Sequence, residues 1–196
     1  MTIAGLARGA MWFGIIITVG LLLVTFLFMH AESTWVHTRA MGPEEAFHYS
    51  STGTELMPLP VFQVLPIIFS DQFQPGGAGA GDWVDQFGFI RGKAGVNEGL
   101  PQGFFVSNYR PRSGSPSPVP FVGINCSLCH SSRIRRSDND PGVVVPGMGS
   151  TSLDFIAWVD GFKTAVLDKR RMTADNIIDT YEQHFGKKLD LSEKLM

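Results

Sequence analysis

The sequence predicts a mainly α fold, with one N-terminal transmembrane helix followed by a loop-rich helical domain. Three observations carry that prediction. Residues Ala10 to Met29 read AMWFGIIITVGLLLVTFLFM and contain no charged side chain. Residues 150–188 place apolar side chains at helical spacing. Between them, residues 75–120 are dominated by glycine and proline, yet hold Trp83, Phe87, Phe89, Phe104, Phe105 and Tyr109.

The first nine residues form a short N-terminus containing Arg8, and the apolar run follows at 10–29. About 20 residues at ~1.5 Å each match the ~30 Å hydrocarbon core of a bilayer. A cleaved signal peptide has a shorter apolar region, roughly 7–15 residues, and a small-residue cleavage site. FLFMHAES offers a poor one. Residues 30–74 read as a helical stalk giving way to loop near Gly42-Pro43, and then a docking segment. Within that segment VFQVLPIIF (61–69) suits a short strand or a docking stretch, with Pro66 excluding a central strand.

Residues 75–196 form the main domain. Its glycine-rich first part reads as an ordered wrap around something large and apolar, because aromatic side chains carry large burial energies. The proline-rich piece 111–120 is the best candidate for an exposed connector. A helix is expected over 150–168 from a Ser or Thr cap, with Phe155, Ile156, Val159, Phe162 and Val166 on its apolar positions. A second is expected over 173–188, capped by Thr173 and ended by Gly186, with Ile177, Ile178, Tyr181 and Phe185 on one face.

The chain has 196 residues, enough for one domain plus attachments. Its formal charge of −2 gives no reason to expect a nucleic-acid partner.

Both cysteines lie in GINCSLCHSS (123–132), as Cys126-Ser127-Leu128-Cys129-His130. A structural zinc site needs four ligands and usually two such pairs. A thioredoxin-like pair needs a neighbouring βαβ pattern, and none is visible. A disulfide between cysteines three apart closes a loop too small to stabilise much. The spacing C-x-x-C-H instead matches covalent attachment of one c-type haem. Cys126 and Cys129 then form the thioethers and His130 is the proximal iron ligand. For the distal side, Met148 sits between Gly147 and Gly149, eighteen positions beyond His130. That length of chain reaches round a porphyrin edge at ~3.3 Å per residue, and the flanking glycines allow close backbone approach. The plainer reading has Met148 filling core space. Rivals for the distal position are Met172, His184 and the stalk histidines His30, His37 and His48, or an iron with no sixth protein ligand. Arg133, Arg135 and Arg136 follow the motif. They suit haem propionates or an acidic redox partner, or simply a solvated loop ending in an Asn139-Asp140-Pro141-Gly142 turn.

GLPQGF (99–104), VGINCSLCHSSRIR (122–135) and VPGMGSTSLDFIAWV (145–159) resemble the cytochrome c superfamily. More narrowly, they resemble the haem-binding part of large bacterial di-haem-peroxidase-like and rubber-oxygenase-like cytochromes. The resemblance covers about residues 85–170. It implies a cytochrome c-like, mostly helical haem domain with long loops over 75–196, and it strengthens Met148 as a motif position. Those relatives carry a second CxxCH, which this chain lacks, and their peroxidase chemistry relies on two haems.

The function expected from these features is that of a membrane-anchored monohaem c-type cytochrome carrying single electrons as a subunit of a membrane electron-transfer complex. A haem enzyme with an open distal iron site, peroxidase- or oxygenase-like, is the alternative. The expected setting is the bacterial inner membrane, single-pass, with the haem domain on the periplasmic side. Membrane lipid, other subunits of a redox complex and a donor or acceptor protein are the expected partners.

Overall fold

The computed structural model describes residues 11–27, 42–93, 95–109, 116–137 and 140–195. The chain divides into two compact units, Met1–Ala40 and Met41–Met196. In the first, residues 11–27 form helix α1, exposed along its whole length. Thr18 and Thr25 donate their hydroxyls to the carbonyls of Gly14 and Leu21, one turn back. The expected transmembrane helix over 10–29 is not borne out. At ~1.5 Å per residue, the described part of α1 is about 26 Å long, and among the described residues no helix is long and apolar enough to cross a membrane. Ala10, Phe28, Met29, His30, His37 and the first part of the expected stalk lie outside the described residues.

The second unit corrects the mainly α expectation: it is mixed α/β, with two antiparallel sheets. Helix α2 (Pro43–Tyr49) leads to strand β1 (Glu55–Pro58), helix α3 (Leu59–Ile68) and the short helices α4 (Ser70–Phe73) and α5 (Trp83–Gln86). Strands β2 (Phe104–Tyr109) and β3 (Pro116–Ile124) follow, then the motif, then β4 (Ser131–Ile134) and β5 (Val143–Pro146). Helices α6 (Phe155–Leu167), α7 (Ala174–Phe185) and α8 (Leu191–Lys194) close the chain. The first sheet runs β1-β3-β2 and the second pairs β4 with β5.

Two of these elements replace sequence expectations. The stretch 61–69 is neither strand nor docking loop but most of α3. Pro60 occupies its first turn, where a missing N–H removes no helix bond. Pro66 lies near its end and removes only one. The expected connector 111–120 is, from Pro116 onward, part of β3, while 111–115 lie outside the described residues. Prolines are excluded from a fully paired strand because they cannot donate to the ladder. Here β1 reaches β3 only at Phe121, Val122 and Gly123. Pro116, Pro118 and Pro120 therefore lie beyond β1, beside a register slip in β2 between Ser107 and Tyr109.

The core is aromatic. Phe104, fully buried, touches Phe62, Trp83, Phe89 and Trp158 with ring centroids 5.4, 5.9, 5.4 and 5.7 Å away, mostly edge to face. Phe73 meets Trp83, and Phe155 and Phe162 flank Trp158. The aromatics of the glycine-rich stretch thus bury against one another and against α3 and α6, forming a core of protein alone rather than a wrap around a cofactor. Helix α6 is capped by Asp154, whose carboxylate accepts from Ala157 N–H, in place of the expected Ser or Thr. Helix α7 begins and ends as predicted: Thr173 accepts from Asn176 N–H, and Gly186 closes it in the left-handed region at φ 63°.

Candidate functional site

The C-x-x-C-H motif forms a tight turn between the two sheets. Cys126–Leu128 is a single 3-10 turn at the end of β3. Asn125 starts it by accepting Ser127 N–H at 3.0 Å, and His130 N–H closes onto Cys126 C=O at 2.9 Å. Asn125 is buried and spends its amide on the carbonyl of Ser50, just past α2, at 3.0 Å. Its backbone N–H donates to Gly103 C=O at 2.8 Å, and Gly103 N–H donates to His48 C=O at 3.0 Å. The turn is therefore stitched to α2 and to the loop before β2.

Gly103 explains why GLPQGF belongs with the motif. It has φ +88°, and a Cβ there would lie 2.3 Å from the backbone N and Cα of Leu128. Only glycine allows that approach. Leu128 itself joins the aromatic core, and Ser127 is almost fully buried.

The turn is two-faced. Ser127 and Leu128 point inward, whereas Cys126, Cys129 and His130 are exposed. Both cysteines are free thiols. Partial burial of its sulfur, reinforced by Cys126 close by, raises the Cys129 thiol above its usual value. A dithiol redox pair depends on a lowered pKa at its attacking thiol, and the shift at Cys129 lends no support to the thioredoxin-like reading. The raised value leaves Cys129 protonated at neutral pH.

Met148 reaches the motif by a route the sequence reading missed. The segment after His130 is a β-hairpin, not a long loop: Ser131 pairs with Pro146 and Ile134 with Val143. Asp140 ties the connection, accepting from Arg136 and Gly142 N–H, which hold its carboxyl below the usual range. Beyond β5, Gly147 N–H donates to His130 C=O and Ser150 N–H to Cys129 C=O, both at 2.8 Å. Met148 thus lies beside the motif and is 41% exposed, with Ile134 and Val143 also exposed on the same hairpin. The core-filling reading of Met148 does not hold. Of the rivals, Met172 packs against the core and His184 lies exposed on α7. His48 is buried beneath the motif, its Nδ1 2.6 Å from Ser127 Oγ.

Arg133 and Arg135, two apart after the motif, line a cavity of about 340 Å3 with Asp85 and Ser152. Among the described residues, no group of three or more His, Cys, Asp or Glu side chains could hold a metal ion. The expectation of metal binding is corrected accordingly: the described residues build no metal centre of their own.

No family model, curated protein or solved structure matches the chain. The likeness to cytochromes therefore rests on the sequence motifs alone.

The exposed donor set can be tested against a covalent haem. A porphyrin attached through two thioethers needs two free thiols three positions apart on one open face, an imidazole next to them, and apolar surface to lie on. Cys126, Cys129 and His130 supply the first two, and Met148 supplies exposed apolar surface beside them, with Ile134 and Val143 exposed further along the hairpin. The residues fit.

Proposed function

We propose that the protein is a single-haem c-type electron carrier, acting as a subunit of a membrane electron-transfer complex on the periplasmic side of a bacterial inner membrane. The observation that carries this reading is the two-faced turn. Its chemistry-bearing side chains Cys126, Cys129 and His130 are exposed while Ser127 and Leu128 anchor it in the interior. When bound, the haem supplies one-electron chemistry at its iron.

The chain's own residues do the rest. Cys126 and Cys129 would hold the macrocycle covalently, and His130 and Met148, the latter brought beside the motif by the hairpin, would be the imidazole and sulfur donors to its iron. The Arg133 and Arg135 guanidinium groups present a cationic pocket suited to carboxylates, those of the haem or of an acidic redox partner. Attachment of c-type haem after export motivates the periplasmic assignment.

The absorption spectrum of the purified holoprotein and of Met148→Ala tests this reading. A carrier shows a low-spin spectrum with a sulfur–iron charge-transfer band that Met148→Ala abolishes. A high-spin wild-type spectrum with ready carbon monoxide binding would establish the open-site enzyme instead.

A further inference from the structure

His48 is the least expected residue near the motif. It sits on α2, 4% exposed, and points into the inner face of the turn. Its Nδ1 lies 2.6 Å from Ser127 Oγ and 3.5 Å from Ser131 Oγ, and the two hydroxyls are 3.0 Å apart. Ser127 lies between the two cysteines and Ser131 follows His130, so one buried ring contacts both ends of the attachment turn. The other nitrogen, Nε2, is buried without a hydrogen-bond partner, and so is Gln102 Oε1. Both residues line one cavity of about 320 Å3, together with Glu44, Tyr49 and Lys93. Buried polar atoms left unpaired cost free energy and call for an explanation. His48 lines this open cavity while Nε2 itself is covered, so a small side-chain movement is what would let water reach that nitrogen.

We infer that His48 is a positioning residue for the haem-attachment turn and the proton acceptor that couples the iron's oxidation state to pH. The inference rests on the haem reading above.

Its physical basis is charge. Reducing the iron removes one positive charge close to the turn, so a neighbouring base binds its proton more tightly. The groups facing His48 are Glu44, Glu45 and Tyr49 from its own helix, Ser127 and Ser131 from the motif, and Lys93 and Gln102 across the cavity. Burial holds the imidazole below its usual 6.5, with Glu44 opposing. Proton uptake on reduction therefore falls on the acid side of that value.

The test is a spectroelectrochemical titration of the holoprotein from pH 4.5 to 8, for wild type, His48→Asn, His48→Gln and Ser127→Ala, with covalent haem measured first as pyridine haemochrome. Asparagine places a polar atom where Nδ1 stood but cannot titrate. The wild-type potential should fall with rising pH below 6.5, its steepest part approaching a tenfold change per pH unit, ~59 mV for one electron. His48→Asn and His48→Gln should keep their haem and lose the slope, whereas Ser127→Ala, which leaves the imidazole in place, should keep both its haem and a pH-dependent potential. Haem-loaded wild type with a flat potential, or an undiminished slope in His48→Asn, overturns the inference and leaves the haem reading standing. If His48→Asn does not load, His48→Gln decides by the same criterion. A wild-type chain without covalent haem overturns the haem reading and this inference together.

Discussion

The aromatic core and the motif hairpin are built on opposite terms. Around Phe104 four rings meet, three of them edge to face, in a buried interior. Across β4 and β5, Ile134, Val143 and Met148 face solvent, and backbone hydrogen bonds do most of the holding. The first region is closed by side chains packed against one another, whereas the second leaves its large apolar side chains uncovered. They meet at one place, where Leu128 enters the core and Gly103 passes against its backbone.

Substitutions along that line should separate the two. Phe104→Ala should destabilise most, by about 3–5 kcal/mol, read from chemical denaturation. Gly103→Ala comes next. It forces a left-handed alanine, costing about 1–2 kcal/mol, and drives its methyl into the Leu128 backbone. Its loss should therefore exceed 2 kcal/mol by roughly another 1, and haem loading per folded chain should fall with it. Asn125→Ala removes both the start of the motif turn and its tie to Ser50, and should cost about 1–2 kcal/mol. A Gly103→Ala protein that loses stability yet loads haem normally would break the idea that the core positions the turn.

Smaller effects sharpen the contrast. Asp71 is held at about 2 by hydrogen bonds from Arg171 and then Gln72, in an exposed pair that links α4 to the α6–α7 loop. Its folded value lies below the unfolded one, so its contribution is full above 3.8 and disappears as pH falls toward 2. Exposure limits that contribution to under about 1 kcal/mol, and Asp71→Asn should flatten the acid limb of the stability profile by that much. Least of all, Cys126→Ser and Cys129→Ser should shift the stability of the haem-free chain by no more than about 0.5 kcal/mol, because both side chains are exposed.

What was legible in the sequence follows the same division. Helix α7 could be read because Thr173 and Gly186 act locally, and α6 because its apolar period is regular. The sheets could not. Strand β3 carries Pro116, Pro118 and Pro120, which argue against a strand until the short reach of β1 is known. Helix α3 hides behind Pro66, tolerated only because the helix ends two residues later. The apolar run at 10–29 suggested a span, but among the described residues no helix is long and apolar enough to cross a membrane. At the site, the cysteines and His130 were marked by spacing and Met148 by its glycines. The reason Met148 lies beside His130 is a hairpin pairing of Ser131 with Pro146, which no local signal announces. His48 was noted only as a stalk histidine. Its place under the motif depends on contacts 79 and 83 positions along the chain.

The central claim is that Cys126 and Cys129 carry a haem covalently on the open face of a core-anchored turn. Acid–acetone extraction of the full chain, produced alongside c-type haem maturation machinery, tests it most directly. The account predicts that porphyrin stays with the polypeptide, and is extracted from the Cys126→Ser, Cys129→Ser double variant. A wild-type chain that releases all its porphyrin, or never acquires any, would contradict it.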